Sequence, residues 1–256
     1  MAESFAGLLN TKKLKAGDEL HLEHRFQIWG GLELPDDFTI SAIKGAGFDV
    51  TDGGKPKSGR PLFKLGQRNS LLNLTLNYLH APPLGPTGEK MHVNYTHRLG
   101  ILAQGKHDIL IENCVFQDNL RGGIFRRLRE GLDIKAFYNR KSQLSPEVSC
   151  SNIRIENCQF YDMPNGITLT TIDGGRRRGP GRELITPANI KDCAPHDIDV
   201  INCIFGHLET PLRPRGKGGY GVEYPKKGEH MRMFLIKDAY DIRYQGIRFL
   251  GDRIRP

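Results

Sequence analysis

Cationic side chains that could bind an anion are concentrated in three segments of this 256-residue chain. Arginine and lysine donate charge-assisted hydrogen bonds to carboxylates and phosphates, and a fixed cation stabilises negative charge that develops in a transition state. Tyr138, Tyr220 and Tyr224 lie among these cations. The segments contain Arg126, Arg127, Arg129, Lys135, Arg140 and Lys141, then Arg176, Arg177, Arg178 and Arg182, then Arg213, Arg215, Lys217, Lys226, Lys227 and His230.

The charge of the whole chain agrees with an anionic partner. The formal net charge is +8 and the sequence pI is about 9.3. Such a charge predicts attraction to an acidic polysaccharide, a nucleic acid or a membrane surface, whereas cations spread evenly over the surface would only keep the protein soluble. The distribution of the cations in space therefore decides between binding and solubility.

A repeated pattern organises the elements that must position these cations. The sequence of residues 107–118, His-Asp-Ile-Leu-Ile-Glu-Asn-Cys-Val-Phe-Gln-Asp, returns at 151–162 and 196–207 and, more weakly, at 240–251. The alternation of apolar residues predicts strands, and a fixed period of this size indicates stacked structural units. The first aliphatic residue of each copy recurs after 44, 45 and 44 positions, at Ile109, Ile153, Ile198 and Ile242.

One residue in each copy shifts the phase of the alternation. It is Asn113, Asn157, Asn202 and then Gly246. Asn and Gly enter the left-handed backbone region at the lowest cost, so a sharp bend is predicted there. Each copy would then consist of two short strands with an aliphatic column and an aromatic column facing inward, the latter formed by Phe116, Phe160, Phe205 and Phe249.

Two short strands joined by an Asn bend and stacked in register resemble the right-handed single-stranded parallel β-helix of the pectin-lyase-like superfamily. The resemblance implies an all-β solenoid of one domain, with residues 1–15 as an N-terminal cap, coils over residues 16–256 and long loops on one edge. It also implies an asparagine ladder whose side chains hydrogen-bond along the stack and satisfy the amides at the bends. Equivalent residues of successive coils would lie ~4.8 Å apart.

Because a bare coil needs only part of the 44-residue period, each later turn is expected to carry an excursion. The excursions are predicted at 82–98, 126–146, 172–183 and 213–231. Loops at one phase of a solenoid lie on one side of it, so the cations should line one edge and form a polyanion-binding cleft. A nucleic acid fits this edge less well than a polysaccharide, because the chain shows no recognition helix and few aromatic residues interleave with the arginines.

Aligning Ile124, Ile167 and Leu212 as inward residues places Arg213, and then Arg127 and Arg215, at outward positions beside this cleft. Lyases of the superfamily use Arg or Lys as the base and a second cation or Ca²⁺ to neutralise the uronate carboxylate. The resemblance therefore implies a catalytic set of Arg127, Arg213 and His230. The implied substrate-binding set is Arg176, Arg177, Arg178, Arg215, Tyr138, Tyr220 and Lys226. Arginine stays protonated in proteins, so anion binding alone competes with catalysis for each of them.

Other repeated side chains favour structural roles. Cys114, Cys158 and Cys203 share one inward position and predict a stack of buried thiols, since no short Cys spacing indicates zinc. No cofactor is predicted, and the resemblance alone allows Ca²⁺. His107 and His196 share their position with Ser151 and Tyr240, which favours a role in the turn over general-base catalysis. The following residues, Asp108, Asp197 and Asp241, are predicted to cap that turn.

Glu112 and Glu156 occupy one outward position and should lie ~4.8 Å apart. Retaining glycosidases need two carboxyl groups separated by ~5–5.5 Å, so this pair fits the distance. Any repeated glutamate would fit it, however, and Arg154 lies close enough to neutralise the pair. A ladder of surface charges is therefore the favoured interpretation.

The sequence leaves two functions open. One is an enzyme that binds an acidic polysaccharide and cleaves it by β-elimination, with a glycoside hydrolase or an epimerase less favoured. The alternative is a non-catalytic β-helix, such as a virion spike or decoration component or another glycan-binding protein, with a homotrimer or a virion partner expected. No catalytic signature of an individual lyase family is matched. The stack lacks a visible C-terminal cap, so a partner subunit or the final loop is expected to cover that end.

The first ten residues lack the basic and apolar regions of a signal peptide, and no apolar run reaches membrane-spanning length. We therefore expect a soluble protein without a membrane partner. The compartment is left open between the cell interior, a virion, and secretion with the signal already removed.

Overall fold

The computed structural model describes residues 14–28, 32–50, 61–79, 98–119, 128–135, 149–161, 165–170, 194–206, 231–237, 239–250 and 254–255. Every regular element within these ranges is a strand, which confirms the all-β prediction. No helix that could cross a membrane occurs among these residues. The predicted cap over residues 1–15 falls almost entirely outside them.

The described strands form three seven-stranded sheets, A, B and C. All of their pairings are parallel. Sheet A consists of β1 (Glu19–Leu22), β4 (Thr39–Ala42), β7 (Ser70–Leu72), β10 (His107–Glu112), β13 (Ser151–Glu156), β16 (Ile198–Ile201) and β19 (Ile242–Gln245). Sheet B consists of β2 (Arg25–Ile28), β5 (Gly47–Val50), β8 (Thr75–Leu79), β11 (Val115–Asn119), β14 (Gln159–Tyr161), β17 (Ile204–Gly206) and β20 (Arg248–Leu250). Sheet C consists of β3 (Leu32–Glu33), β6 (Phe63–Lys64), β9 (Arg98–Gln104), β12 (Leu128–Lys135), β15 (Asn165–Thr170), β18 (Met231–Lys237) and β21 (Ile254–Arg255).

The chain visits the sheets in the fixed order A, B, C, and we call one such pass a circuit. Each circuit adds its three strands beside those of the preceding circuit. One 44- or 45-residue repeat is one circuit, because Ile109, Ile153, Ile198 and Ile242 are successive partners in sheet A. The prediction that the repeat marks stacked units is therefore confirmed.

Every bend that the sequence predicted between sheets A and B has a left-handed residue. The φ angles are 53° at Asn113, 53° at Asn157, 51° at Asn202 and 65° at Gly246. A second set of left-handed residues lies at the start of the sheet A strands, just before the strand or at its second residue, and it includes the three aspartates predicted for that turn. Its members are Gly17, Asp37, Arg68, Asp108, Asn152, Asp197 and Asp241.

Backbone carbonyls satisfy the bend amides, which corrects the predicted role of the Asn side chains. Each Asn amide at a bend donates to a carbonyl of the next circuit, so it needs no side-chain partner. At Gly246 an added Cβ would lie 2.2 Å from Asn202 Oδ1, so the Asn202 side chain would have to move to accept another residue there. The bonds run from Asn73 N to Glu112 O (2.9 Å), Asn113 N to Glu156 O (2.9 Å), Asn157 N to Ile201 O (2.9 Å) and Asn202 N to Gln245 O (2.8 Å).

The interior contains the predicted columns. The rings of Phe116 and Phe160 stack with centroids 4.7 Å apart, and those of Phe160 and Phe205 with centroids 4.9 Å apart. Phe249 continues the column in a tilted orientation, 6.3 Å from Phe205. Phe116, Phe160 and Phe205 are fully buried, as is the aliphatic Ile155.

The predicted excursion at 126–146 is wrong in part, because residues 128–135 form strand β12 of sheet C. The alignment of Ile124, Ile167 and Leu212 is also wrong. Ile167 pairs with Leu132 on one side and with Phe234 on the other. The alternation of apolar and polar residues in the segments of β12 and β15 was visible in the sequence. No repeated residue fixed the register of these two strands, however.

Phe160→Ala is expected to destabilise the fold, because it removes a buried ring from the middle of the column. The expected loss is about 3–5 kcal/mol of unfolding free energy. Phe249→Ala is the matched control, since Phe249 belongs to the same column but is 37% exposed and should cost clearly less. Urea denaturation followed by circular dichroism measures both. Equal losses would contradict the described burial.

Asn157→Val is expected to cost about 1–2 kcal/mol, because valine must adopt the left-handed conformation at a φ of 53°. Asn157→Gly should change stability little, since the bend amide donates to a backbone carbonyl and glycine tolerates this conformation. Thermal unfolding of the two variants and the parent measures the difference. A large loss in the glycine variant would show that the Asn side chain stabilises the bend after all.

Candidate functional site

The basic segments attach at both ends of the strands of sheet C. Residues 126–127 and 213–230 precede β12 and β18, whereas residues 140–141 and 176–182 follow β12 and β15. The prediction that all of them lie at one phase of the repeat, on one edge, is therefore wrong. From the third circuit onward, two residues lie between the last paired residue of sheet A and the first of sheet B, as Asn113 and Cys114 lie between Glu112 and Val115. The variable connections all lie on either side of sheet C. Those from sheet B to sheet C include 80–97, 120–127 and 207–230, and those from sheet C to sheet A include 136–150 and 171–197.

The residues predicted for catalysis and binding lie outside the described residues, so their roles stay predictions. The catalytic set is Arg127, Arg213 and His230. The substrate-binding set is Arg176, Arg177, Arg178, Arg215, Tyr138, Tyr220 and Lys226. The described strands fix only where the segments that carry them begin and end.

The register of sheet C identifies other residues at the positions that the faulty alignment gave to arginines. Thr168 has Asp133 and Leu235 as its partners, and Asp133 pairs in turn with Leu102. We call these four residues the Thr168 row. Two positions later, Gln104, Lys135, Thr170 and Lys237 pair in the same way and form the Thr170 row.

Sequence reasoning missed both rows, although a signal was present. Each strand of this region has two apolar residues at alternate positions, followed by a polar residue. The pattern is Ile-Leu-Ala-Gln at 101–104, Leu-Asp-Ile-Lys at 132–135, Ile-Thr-Leu-Thr at 167–170 and Phe-Leu-Ile-Lys at 234–237. Aligning the strands on this ending would have given the observed register.

Thr168 occupies an unusual environment. Its neighbours Ile167 and Leu169 are fully buried in the core, so alternation places Thr168 on the outer face of sheet C. It is nevertheless only 3% exposed, and its hydroxyl has no hydrogen-bond partner among the described residues. Leu102 of the same row is 7% exposed but does not belong to the core cluster. This part of the outer face is therefore shielded from water and contains an unpaired polar atom, which costs free energy unless a ligand pairs with it.

The outer face of sheet A has its charges neutralised within the sheet. Glu112 and Glu156 are register partners, as predicted. Arg154 Nε donates to Glu156 Oε2 over 2.7 Å, and this bond raises the pKa of Arg154. Because Arg154 holds one of the two carboxylates, the structure supports the interpretation as a surface ladder over that as a glycosidase pair.

The same compensation occurs at the turn before sheet A. Arg68 forms an ion pair with Asp37 of the preceding circuit, and its hydrogen bonds lower the pKa of Asp37. Both side chains are exposed, so we expect this pair to contribute little to stability. Arg243 donates to Asp199 one circuit earlier, with an Nε to Oδ1 distance of 2.5 Å. Arg68, Arg154 and Arg243 are thus each paired with a carboxylate.

The histidines before sheet A make contacts that fit their predicted role in the turn. His107 Nδ1 lies 2.8 Å from Ser151 Oγ, and His196 Nδ1 lies 3.1 Å from Ser149 Oγ. The His196 ring stacks on Tyr240 with centroids 4.9 Å apart. Each imidazole is thus tied to the neighbouring circuit.

Cys114, Cys158 and Cys203 are free and buried, which confirms the predicted thiol column. Burial raises the pKa of the Cys158 thiol, so it stays protonated and unreactive. No group of three His, Cys, Asp or Glu side chains that could hold a metal occurs in the described part of the chain. The calcium ion that the resemblance allows therefore gains no ligand set here and stays a prediction.

No protein-family model matches the sequence, and no curated protein matches it either. The resemblance to the pectin-lyase-like superfamily thus depends on the repeat and the bends alone.

Proposed function

We propose that the three sheets are the faces of a right-handed parallel β-helix like that of the pectin-lyase-like superfamily, and that the protein binds an acidic polysaccharide along sheet C and cleaves it by β-elimination. One observation and one general rule support the fold. The chain visits the sheets in rotation, and connections between parallel strands of one sheet are right-handed in about 98% of cases. The function is supported by the attachment of the basic segments to the strands of sheet C, before β12 and β18 and after β12 and β15.

An extended acidic polysaccharide suits this arrangement because its carboxylates repeat along its length, as the strands of sheet C do. Neighbouring strands lie ~4.8 Å apart, so cations on successive circuits would meet successive acidic groups. Each exposed ion pair contributes only ~0–1 kcal/mol, so the affinity must come from several pairs together.

β-Elimination requires one base and one cation at the same sugar. The base removes the proton from the carbon next to the carboxylate, the electron pair forms a double bond, and the glycosidic oxygen leaves and takes up a proton. A cation beside the carboxylate stabilises the charge that develops on it. Arg127 and Arg213 suit this second role because arginine does not give up its proton, whereas His230 or a lysine of the Thr170 row suits the role of base.

The proposed activity is tested by incubating the protein with alginate, polygalacturonate, glycosaminoglycans and bacterial capsular polysaccharides. The ultraviolet absorbance of the unsaturated product should rise with at least one of them. The base is identified with the variants Lys135→Ala, Lys237→Ala and His230→Ala. The variant that lacks the base should show a large decrease in kcat and a nearly unchanged KM. If none of the substrates gives the unsaturated product, the proposed lyase activity is wrong. Binding without turnover by a stable homotrimer would instead support the non-catalytic glycan-binding or virion component.

Replacing Arg176, Arg177 and Arg178 together by Ser should weaken binding of the acidic glycan at least tenfold and leave the melting temperature nearly unchanged. Binding by the parent should also weaken steeply with salt, because the Debye length falls from ~10 Å at 0.1 M to ~3 Å at 1 M. Isothermal titration calorimetry measures both effects.

The matched control replaces Arg25, Arg154 and Arg248, which lie on strands of sheets A and B, by Ser. It removes the same charge at a distance from sheet C. Equal weakening by both triple variants would show that the net charge alone attracts the glycan, and unchanged binding by the first variant would remove its three arginines from the site.

A further inference from the structure

The Thr170 row alternates between a neutral residue and a lysine from one circuit to the next. In the order of the third to the sixth circuit its members are Gln104, Lys135, Thr170 and Lys237. The residues before the first three, Ala103, Ile134 and Leu169, are buried in the core, so alternation along the strands places the row on the outer face of sheet C. Because Thr170 pairs with both lysines, the two lysine positions lie two strands apart, roughly 10 Å.

The strands themselves fix this spacing. Lys135 and Lys237 belong to β12 and β18, and the intervening β15 pairs in register with both of these strands. Positions on paired strands are held more precisely than positions on loops. The distance between the two lysine positions can therefore select among acidic chains whose carboxylates repeat at different intervals.

A chain that crosses the strands one after another places about one sugar on each strand, because a sugar unit is about as long as the distance between neighbouring strands. In a chain with two-fold screw symmetry each sugar is turned by half a turn relative to the one before it. The carboxylates of every second sugar then face the same side. The lysine positions match two such sugars, and the neutral Thr170 position matches the sugar between them, whose carboxylate faces away from the sheet.

We propose that the Thr170 row selects an acidic polysaccharide with a two-fold chain, such as β-1,4-linked polymannuronate, over one with a three-fold chain, such as polygalacturonate. This selectivity rests on the proposed function, since it concerns binding along sheet C. In a three-fold chain a carboxylate returns to the same side only at every third sugar, one strand beyond the spacing of the two lysines. One exposed ion pair is then lost, which is worth up to about fivefold in affinity.

Two double variants move one lysine and keep the net charge. Thr170→Lys with Lys237→Thr brings the lysines to neighbouring strands, and Gln104→Lys with Lys135→Gln places them three strands apart. Biolayer interferometry on immobilised polymannuronate and polygalacturonate measures both affinities within a short contact time. The parent should bind polymannuronate about fivefold more tightly. The first double variant should lose this preference, and the second should prefer polygalacturonate, because three strands match every third sugar.

Lys64→Thr is the matched control. Lys64 also lies in sheet C, where it pairs with Leu102 of the Thr168 row, but its Nζ is 3.0 Å from Glu33 Oε1. Removing this compensated lysine should leave the preference for polymannuronate unchanged.

Equal affinity of the parent for the two polysaccharides would overturn the selectivity and leave the proposed function intact. A preference that stays the same in both double variants, with normal circular dichroism, would also overturn it, because the lysine spacing would then not be its cause. Failure of the parent to bind any acidic polysaccharide would instead contradict the proposed function itself.

Discussion

The structure depends on one constraint, which is that each circuit must return to sheet A in register with the circuit before it. Side chains on a strand alternate between two faces, so an error of one residue would turn Ile109 and Ile111 outward. Left-handed residues before and after each central strand of sheet A set the direction of the chain at both of its ends. From the third circuit onward the joint to sheet B has a constant length, so the register of sheet A determines that of sheet B.

This constraint leaves sheet C as the place where the sequence can vary in length. Glu19 and Thr39 are partners one circuit apart and are separated by 20 positions, whereas the partners Arg154 and Asp199 are separated by 45. The additional residues lie between sheets B and C or between C and A. A loop can be lengthened at low entropic cost when the strands on both sides are fixed. Segments with binding residues can therefore be inserted there without disturbing the columns, which agrees with the location of the arginines.

The same difference explains what could be predicted from the sequence. Sheets A and B of the last four circuits were predicted in correct register, because Ile, Asn, Cys and Phe recur at fixed spacing and each type has a physical reason for its position. Sheet C was aligned wrongly, since insertions of different length precede its strands and no distinctive residue marks them. The role of the Asn side chains was also wrong, because the sequence cannot show that a carbonyl such as Glu156 O lies within 2.9 Å of the bend amide. The repeat could not place the proposed site residues, because they belong to the segments that the repeat does not constrain.

The thiol column shows how weakly some repeated positions are tied to chemistry. By register, the position of Cys114 is occupied by Leu74 in the preceding circuit and by Ile247 in the seventh. Apolar side chains of different shape are thus accepted there, so the position selects for burial and not for a sulfur atom. The bend position accepts only Asn and Gly in the same five circuits, because a backbone conformation is harder to replace than an apolar contact. A residue type that repeats in this protein therefore shows which side chains the fold tolerates at that position. Functional residues are expected in the segments outside the repeated positions.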